Sequence, residues 1–448
     1  MNRSAATDHE GLPPLGRDVS FWGMTVTQFL GAFNDNLFKQ LVLLICVDIR
    51  LRGGNDQQGA ALALFAIPFV IFSGFAGFLA DRTSKRRIVV LAKVAEIVIM
   101  LLGMAAFAFS ESYVDGRLHF LFVVLACMSI QSAFFGPSKY GILPELFRER
   151  DLPQVNGAIQ MTTFLAIIFG MALAGYSKEW FGDRLWIVSS FCVGIAVAGT
   201  FTSLFIRRTP VAHPGLPFRP SSLAINSETW QMLRRDRPLF TVLLISSLFW
   251  FVGGVVQPAV NSFGKSQLGY SDGRTSILAA CMGVGIAIGC IWAGKASKKK
   301  VNPRLVTVGA WGIAVSLFAL SWIGPRSMFE GAAETKAPEP FASLLIPVSG
   351  EELTARGILT ALGVFAGVFV VPLAVFMQSR PPEDQKGRMI GAMNLINWIG
   401  IVFSAGFFIA ATALLKMIGQ PVSFVFMLLA ACMLPVALFY RPPETELH

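Results

Sequence analysis

Apolar residues run along the chain in twelve blocks separated by short polar joints. The blocks lie near 21–45, 59–80, 88–109, 119–137, 155–176 and 185–206, then 239–260, 275–293, 305–323, 358–377, 389–415 and 422–439. Each is close to the roughly 20 residues a helix needs to cross a bilayer core of about 30 Å. The pattern predicts an all-α membrane protein of twelve transmembrane helices in two six-helix bundles. The expected organisation is an N-terminal tail (1–20), an N-terminal bundle (21–206), a basic linker (207–238), a C-terminal bundle (239–440) and a C-terminal tail (441–448).

Composition agrees with this reading. Of 448 residues, 54% are hydrophobic and 14% charged, with a mean hydropathy of +0.61, whereas soluble domains carry about 25% charged residues. An ordinary soluble enzyme and a disordered chain are both excluded. The net charge of +10 would suit nucleic acid only as a basic face on a soluble fold. Here the cations sit in the joints, so no nucleic-acid partner is expected. If the N-terminus is cytoplasmic, 24 of the 37 Lys and Arg fall on the cytoplasmic side. The positive-inside rule then places both termini in the cytoplasm and the acidic 324–357 loop outside. No cleavable signal peptide is evident. The six cysteines lie in or beside apolar runs and read as small hydrophobes, with no metal-ligand spacing.

The two halves echo each other. Phe29–Asp35 in block 1 aligns with Phe251–Gln257 in block 7, Phe134–Pro137 with Phe369–Pro372, and Asn156–Gln160 with Ile390–Asn394, in the same order and at offsets of 222 to 235. A duplicated six-helix unit around a basic linker is the layout of a major facilitator.

The joint between blocks 2 and 3 reads Gly77-Phe-Leu-Ala-Asp81-Arg82-Thr-Ser-Lys85-Arg86-Arg87 and closely resembles the major-facilitator loop signature. Gly77 suits a tight turn. Asp81 can cap a helix and pair with Arg82 or Arg86, a candidate gating loop. Gly289–Ala296 imitates a phosphate-binding loop, but Ala296 stands where the magnesium-binding hydroxyl is needed. Gly283, Gly285 and Gly289 are better read as close helix packing. No His is followed by Asp at the acyltransferase spacing, so an enzyme is not expected.

Chemistry is concentrated in the polar residues inside the blocks. Asn34, Asp35 and Asn36 are consecutive near mid-membrane, where an Asp costs about 3 kcal/mol on insertion scales. Lys39 shares a helix face with Asp35, so an intramembrane ion pair and a headgroup- or proton-binding acid both account for them. Lys93 and Glu96 lie nearer the cytoplasmic end, where snorkelling and mutual pairing suffice. Gly136, Pro137, Gly141 and Pro144 are expected to break the fourth helix, setting Lys139 where a phosphate or carboxylate could meet it. Asn156, Gln160 and Thr163 are matched in the second half by Asn394 and Asn397. These polar stripes serve either as helix–helix glue or as a cavity lining that also takes in Gln257.

The segments Gln28–Asn36, Gly136–Leu146, Asn156–Ile167, Ser247–Trp250 and Gly367–Gln378 together resemble the lysophospholipid transporter family of major facilitators. The resemblance spreads over most of the chain. It implies transport of lysophospholipids such as lysophosphatidylethanolamine across a bacterial inner membrane, with Asp35 and Lys139 beside the substrate. It also implies a separate acyltransferase partner and no cofactor, and such transporters usually act as monomers. This sequence departs from the family in lacking an Arg near Gln257 and a Glu near Gly400, which bears on the substrate. A proton-coupled major facilitator for a small-molecule metabolite or drug is the alternative expectation.

Overall fold

The computed structural model describes residues 12–52, 55–108, 116–148, 151–209, 211, 215, 227–296, 300–301, 303–324, 338–379, 386–441 and 445–446. The long helices are α1 (Val19–Leu51), α2 (Gln58–Arg82), α3 (Lys85–Ala108), α4 (Gly116–Gly141), α5 (Leu152–Phe181) and α6 (Leu185–Ser203). They continue as α7 (Arg237–Ser262), α8 (Asp272–Ala296), α9 (Pro303–Leu320), α10 (Gly350–Ser379), α11 (Lys386–Met417) and α12 (Phe424–Phe439). Among the described residues ten helices are long and apolar enough to cross a membrane. The apolar stretches of α9 (Arg304–Leu320) and α12 are shorter. Each long helix overlies one of the twelve apolar blocks. Two-residue strands Lys300–Val301 and Thr445–Glu446 pair antiparallel.

Local chemistry sets several ends. Asp236 caps α7 by accepting from the Leu239 amide at 3.2 Å, and a proline enters the first turn, where its missing N–H has no helical partner anyway. Beyond Ser262 the chain continues as a π turn, Phe263–Gln267. The fourth helix departs from expectation: it runs through Gly136 and Pro137 and ends at Gly141. One proline removes a single donor, which neighbouring helices tolerate inside a membrane. The break comes where Leu143 and Pro144 open a separate short helix, Leu143–Leu146.

The chain forms two compact units. The first holds Met1–Phe38, Ile71–Gly170 and Arg184–Ala224, with α3 packed on α4 and α6. One of its apolar clusters joins Phe21 and Met24 of α1 to Val89, Ile142, Leu146, Val155 and Ile206. Beside it Arg207 grips Asp18 through two hydrogen bonds of 2.8 and 2.9 Å and donates to the Leu146 carbonyl at 2.6 Å.

The second unit holds Lys39–Val70, Met171–Asp183 and Ile225–His448. In it α8 lies along α10, α9 against α10 and α12, and α7 against α11. The close approach of α8 and α10 is glycine-dependent, as the Gly285 and Gly289 spacing predicts. A Cβ at Gly285 would stand 2.1 Å from the Thr360 carbonyl oxygen, and one at Gly289 2.1 Å from that of Val364. Gly363 and Gly367 are equally confined from the α10 side.

Candidate functional site

In the first unit α1 carries its polar triplet toward α3, α4 and α6. Asp35 accepts a hydrogen bond of 2.6 Å from the Ser132 hydroxyl on α4. Asn34 is fully buried; its amide donates to Glu96 at 2.9 Å and to the Cys192 carbonyl at 3.2 Å. Asn36 donates to the Ala32 carbonyl of its own helix at 2.7 Å. Lys139 is buried near the end of α4 and donates to Thr163 at 3.1 Å. Thr163 in turn donates to Gln28 at 2.9 Å. One acid on α1 and one base on α4 thus belong to the same unit, each hydrogen-bonded to a hydroxyl.

Lys93 and Glu96 pair as expected but do not snorkel. Each side chain is 1% exposed. Two glycines make the room: a Cβ at Gly31 would lie 3.1 Å from the Lys93 Nζ, and one at Gly199 2.7 Å from its Cε.

The remaining first-unit candidates lie elsewhere. Asn156 and Arg82 are exposed, and the Arg82 guanidinium sits 5.9 Å from the Phe78 ring centre. The side chains of Gln160 and Asp81 fall outside the described residues. Gly77 lies inside α2 rather than in the tight turn expected of it, and a Cβ there would meet open space. Arg86 donates to the carbonyls of Ile206 at 2.6 Å and Leu204 at 2.9 Å, closing the end of α6. Lys85 pairs with Glu145 and passes over Gly141. The 77–87 joint and the Gly136–Leu146 segment, both singled out from sequence, are thereby tied by an ion pair.

The second unit holds a chain of amides. Gln257 donates to Gln40 at 3.3 Å and approaches the Met171 sulfur at 3.7 Å. Gln40 donates to Asn261 at 2.9 Å, Asn261 to Gln58 at 3.1 Å, and Gln58 to Ser262 at 2.9 Å. Lys39 lies over the Phe65 ring at 5.0 Å. Trp398 stacks on Phe69 with ring centres 3.8 Å apart. Asn397 is buried and accepts from Ser246 at 3.2 Å, whereas Asn394 is exposed.

Farther along these helices Asp48, Lys178, Lys265 and Asp272 form a neutral quartet in which each lysine reaches both carboxylates. Ser132, the amides Gln40, Gln58 and Asn261, and this quartet were not singled out from the sequence. The one available signal was that Lys178 and Lys265 each stand near the end of an apolar block. Among the described residues no group of three His, Cys, Asp or Glu is placed to hold a metal.

Chemically, the first unit carries an acid and a base, each hydrogen-bonded to a hydroxyl, and the second carries a chain of amides. Comparison with known proteins gives the frame. The chain is 28% identical over 393 residues to the lysophospholipid transporter LplT of Klebsiella pneumoniae (strain 342), covering 86% of this chain and 87% of that one. It is 27% identical over 401 residues to that of Serratia proteamaculans (strain 568), covering 88% of each. Its fold matches the crystal structure of a D-xylose-proton symporter with a TM-score of 0.64 at 16% identity, covering 94% of this chain and 97% of that one. It also matches the crystal structure of a point mutant of the nucleoside transporter NupG with a TM-score of 0.63 at 13% identity, covering 93% of this chain and 98% of that one. Residues 24–405 match the Major Facilitator Superfamily as a family, and the chain is a multi-pass membrane protein belonging to that superfamily.

Proposed function

We propose that this chain is a secondary transporter that moves lysophospholipids, such as lysophosphatidylethanolamine, across the bacterial inner membrane by alternating access. The observation that supports the reading is that Asp35 and Lys139, an acid and a base in one unit, are each held by a hydroxyl. A lysophospholipid headgroup of this kind carries an ammonium and a phosphate. Asp35 receives the ammonium. The neighbouring Asn34 Oδ1, buried and without a hydrogen-bond partner among the described residues, adds a second acceptor. Lys139 meets the phosphate as a point charge. The names of the relatives support the same substrate class.

In the second unit Gln257 stands where the resemblance leads one to expect an Arg, and its amide hydrogen-bonds to Gln40 without fixed charge. Gly400, near which a Glu is expected, brings no charge either, so in this reading the headgroup charges are met by Asp35 and Lys139. Both termini face the cytoplasm in this reading, following the excess of Lys and Arg in the corresponding joints. The transporter works as a monomer beside a separate acyltransferase that consumes the delivered lipid.

Uptake of labelled lysophosphatidylethanolamine into proteoliposomes, with and without a proton gradient, tests this. Gradient-independent uptake that is lost in Asp35→Asn is the expected result. No uptake from monodisperse wild-type protein would overturn it in favour of a proton-coupled small-molecule carrier with Asp35 as the proton site.

A further inference from the structure

The segment between α9 and α10 belongs, by sequence, to an acidic aqueous loop. Its described part, residues 338–349 with the first turn of α10, is built the other way round. Two of its three acids, Glu339 and Glu352, turn toward arginines, while Glu351 stays exposed. Glu352 is fully buried and pairs with both Arg274 and Arg356, while Arg274 also pairs with Glu339. The apolar residues point outward: Ile346 is 67% exposed, Val348 66%, Leu353 62% and Leu345 55%.

The backbone explains why the charges turn in. Arg356 donates to the carbonyls of Leu344 at 2.6 Å and Leu345 at 2.8 Å, and Arg274 to that of Ile346 at 3.2 Å. The Val348 amide donates to Glu352 at 2.9 Å, and the Glu339 amide to Glu179 at 3.2 Å. Water satisfies such groups in an aqueous loop without help. Irregular backbone held at membrane depth must be satisfied by protein, and here the buried Arg274, Arg356 and Glu352 and the half-buried Glu179 bind five backbone groups within ten residues. The outward apolar face continues onto aromatic residues of α5. Phe341 meets Tyr176 edge-on at 5.4 Å, Tyr176 stacks on Trp180, and Trp180 is half exposed. Tyr and Trp are enriched at the boundary between lipid headgroups and acyl chains.

We propose that residues 341–348, together with Leu353, form a ledge seated in the bilayer, whose apolar face rests among the phospholipids of one leaflet while the buried Arg274–Glu352–Arg356 cluster replaces water at its backbone. The occupant is the lipid surface itself. This placement is independent of what the protein transports, since it rests on burial and hydrogen bonding within the second unit.

The test uses the full chain in phosphatidylethanolamine–phosphatidylglycerol vesicles. A spin label is attached at Ile346→Cys, Val348→Cys or, as an aqueous control, the exposed Glu351→Cys, with the signal of the labelled parent subtracted for its six native cysteines. Collision with oxygen, which partitions into lipid, is compared with collision with a water-soluble nickel chelate. The expected oxygen-to-nickel ratio at 346 and 348 is at least about threefold higher than at 351. A ratio at 346 and 348 below that margin overturns the proposal. All three substitutions lie on exposed side chains, so the fold is retained.

Discussion

Asn34 on α1 donates its amide to Glu96 on α3 at 2.9 Å, joining the polar triplet to a Lys93–Glu96 pair buried to 1% exposure. Removing one charge leaves the other without compensation away from water, a loss of about 3–5 kcal/mol in buried pairs. Lys93→Met or Glu96→Gln alone is therefore expected to lower the thermal midpoint in detergent markedly. The double variant is expected to recover most of the loss. A double variant no more stable than the worse single one would show that the pair does not act as a unit.

Ser132 and Thr163 each hold one of the proposed headgroup charges. A hydrogen bond to a charged group contributes about 1.5–3 kcal/mol, and roughly 1.4 kcal/mol is a factor of ten in affinity. Ser132→Ala and Thr163→Val are expected to weaken lysophospholipid uptake about tenfold, through KM more than through the maximal rate. Uptake assays across a substrate series check this, and unchanged KM in both variants would remove these hydroxyls from the site.

Gly289 faces the Val364 carbonyl with no space for a methyl group, whereas a Cβ at Gly294 would meet nothing within 4 Å. Overpacking of such a contact costs about 1–3 kcal/mol. Gly289→Ala is expected to destabilise by that amount and Gly294→Ala to be close to neutral. Thermal melts of the two proteins side by side would decide it, and equal midpoints would contradict the close α8–α10 approach.

The Asp48–Lys178–Lys265–Asp272 quartet is neutral, and Lys265 is its most buried member at 4% exposure. Lys265→Met leaves two carboxylates to share one lysine, an expected loss of about 3 kcal/mol. The double variant Lys265→Met with Asp48→Asn, which restores neutrality, is expected to be more stable than Lys265→Met alone. Urea or thermal unfolding compares them, and a double variant weaker than the single one would show that geometry rather than charge balance governs the cluster.

The sequence by itself determined the membrane class, the positions of the twelve long helices, the kinship with major facilitators and the polar triplet on α1. Each rests on local information, namely block length, hydropathy and contiguous motifs. Asp35 and Lys139 stood out as candidates for a similar reason: an acid inside an apolar block, or a base just past its end, is costly to bury and so conspicuous. Which partner satisfies each group was decided only by tertiary structure, because the partner lies on another helix far along the chain. Ser132 lies 97 residues from Asp35 and Asn261 lies 221 from Gln40, and nothing in the local pattern around Ser132 or Gln40 distinguishes them from ordinary helix glue. Burial was decided in the same way. Lys93 and Glu96 look like snorkelling residues until Gly31 and Gly199, on two other helices, are seen to make a seat for them. The 338–353 segment looks aqueous because it is acidic, yet Arg274 and Arg356 draw Glu339 and Glu352 toward them and leave Leu345, Ile346, Val348 and Leu353 facing out. A sequence records which groups are present; the field and the solvent each one experiences are set by the helices folded around it.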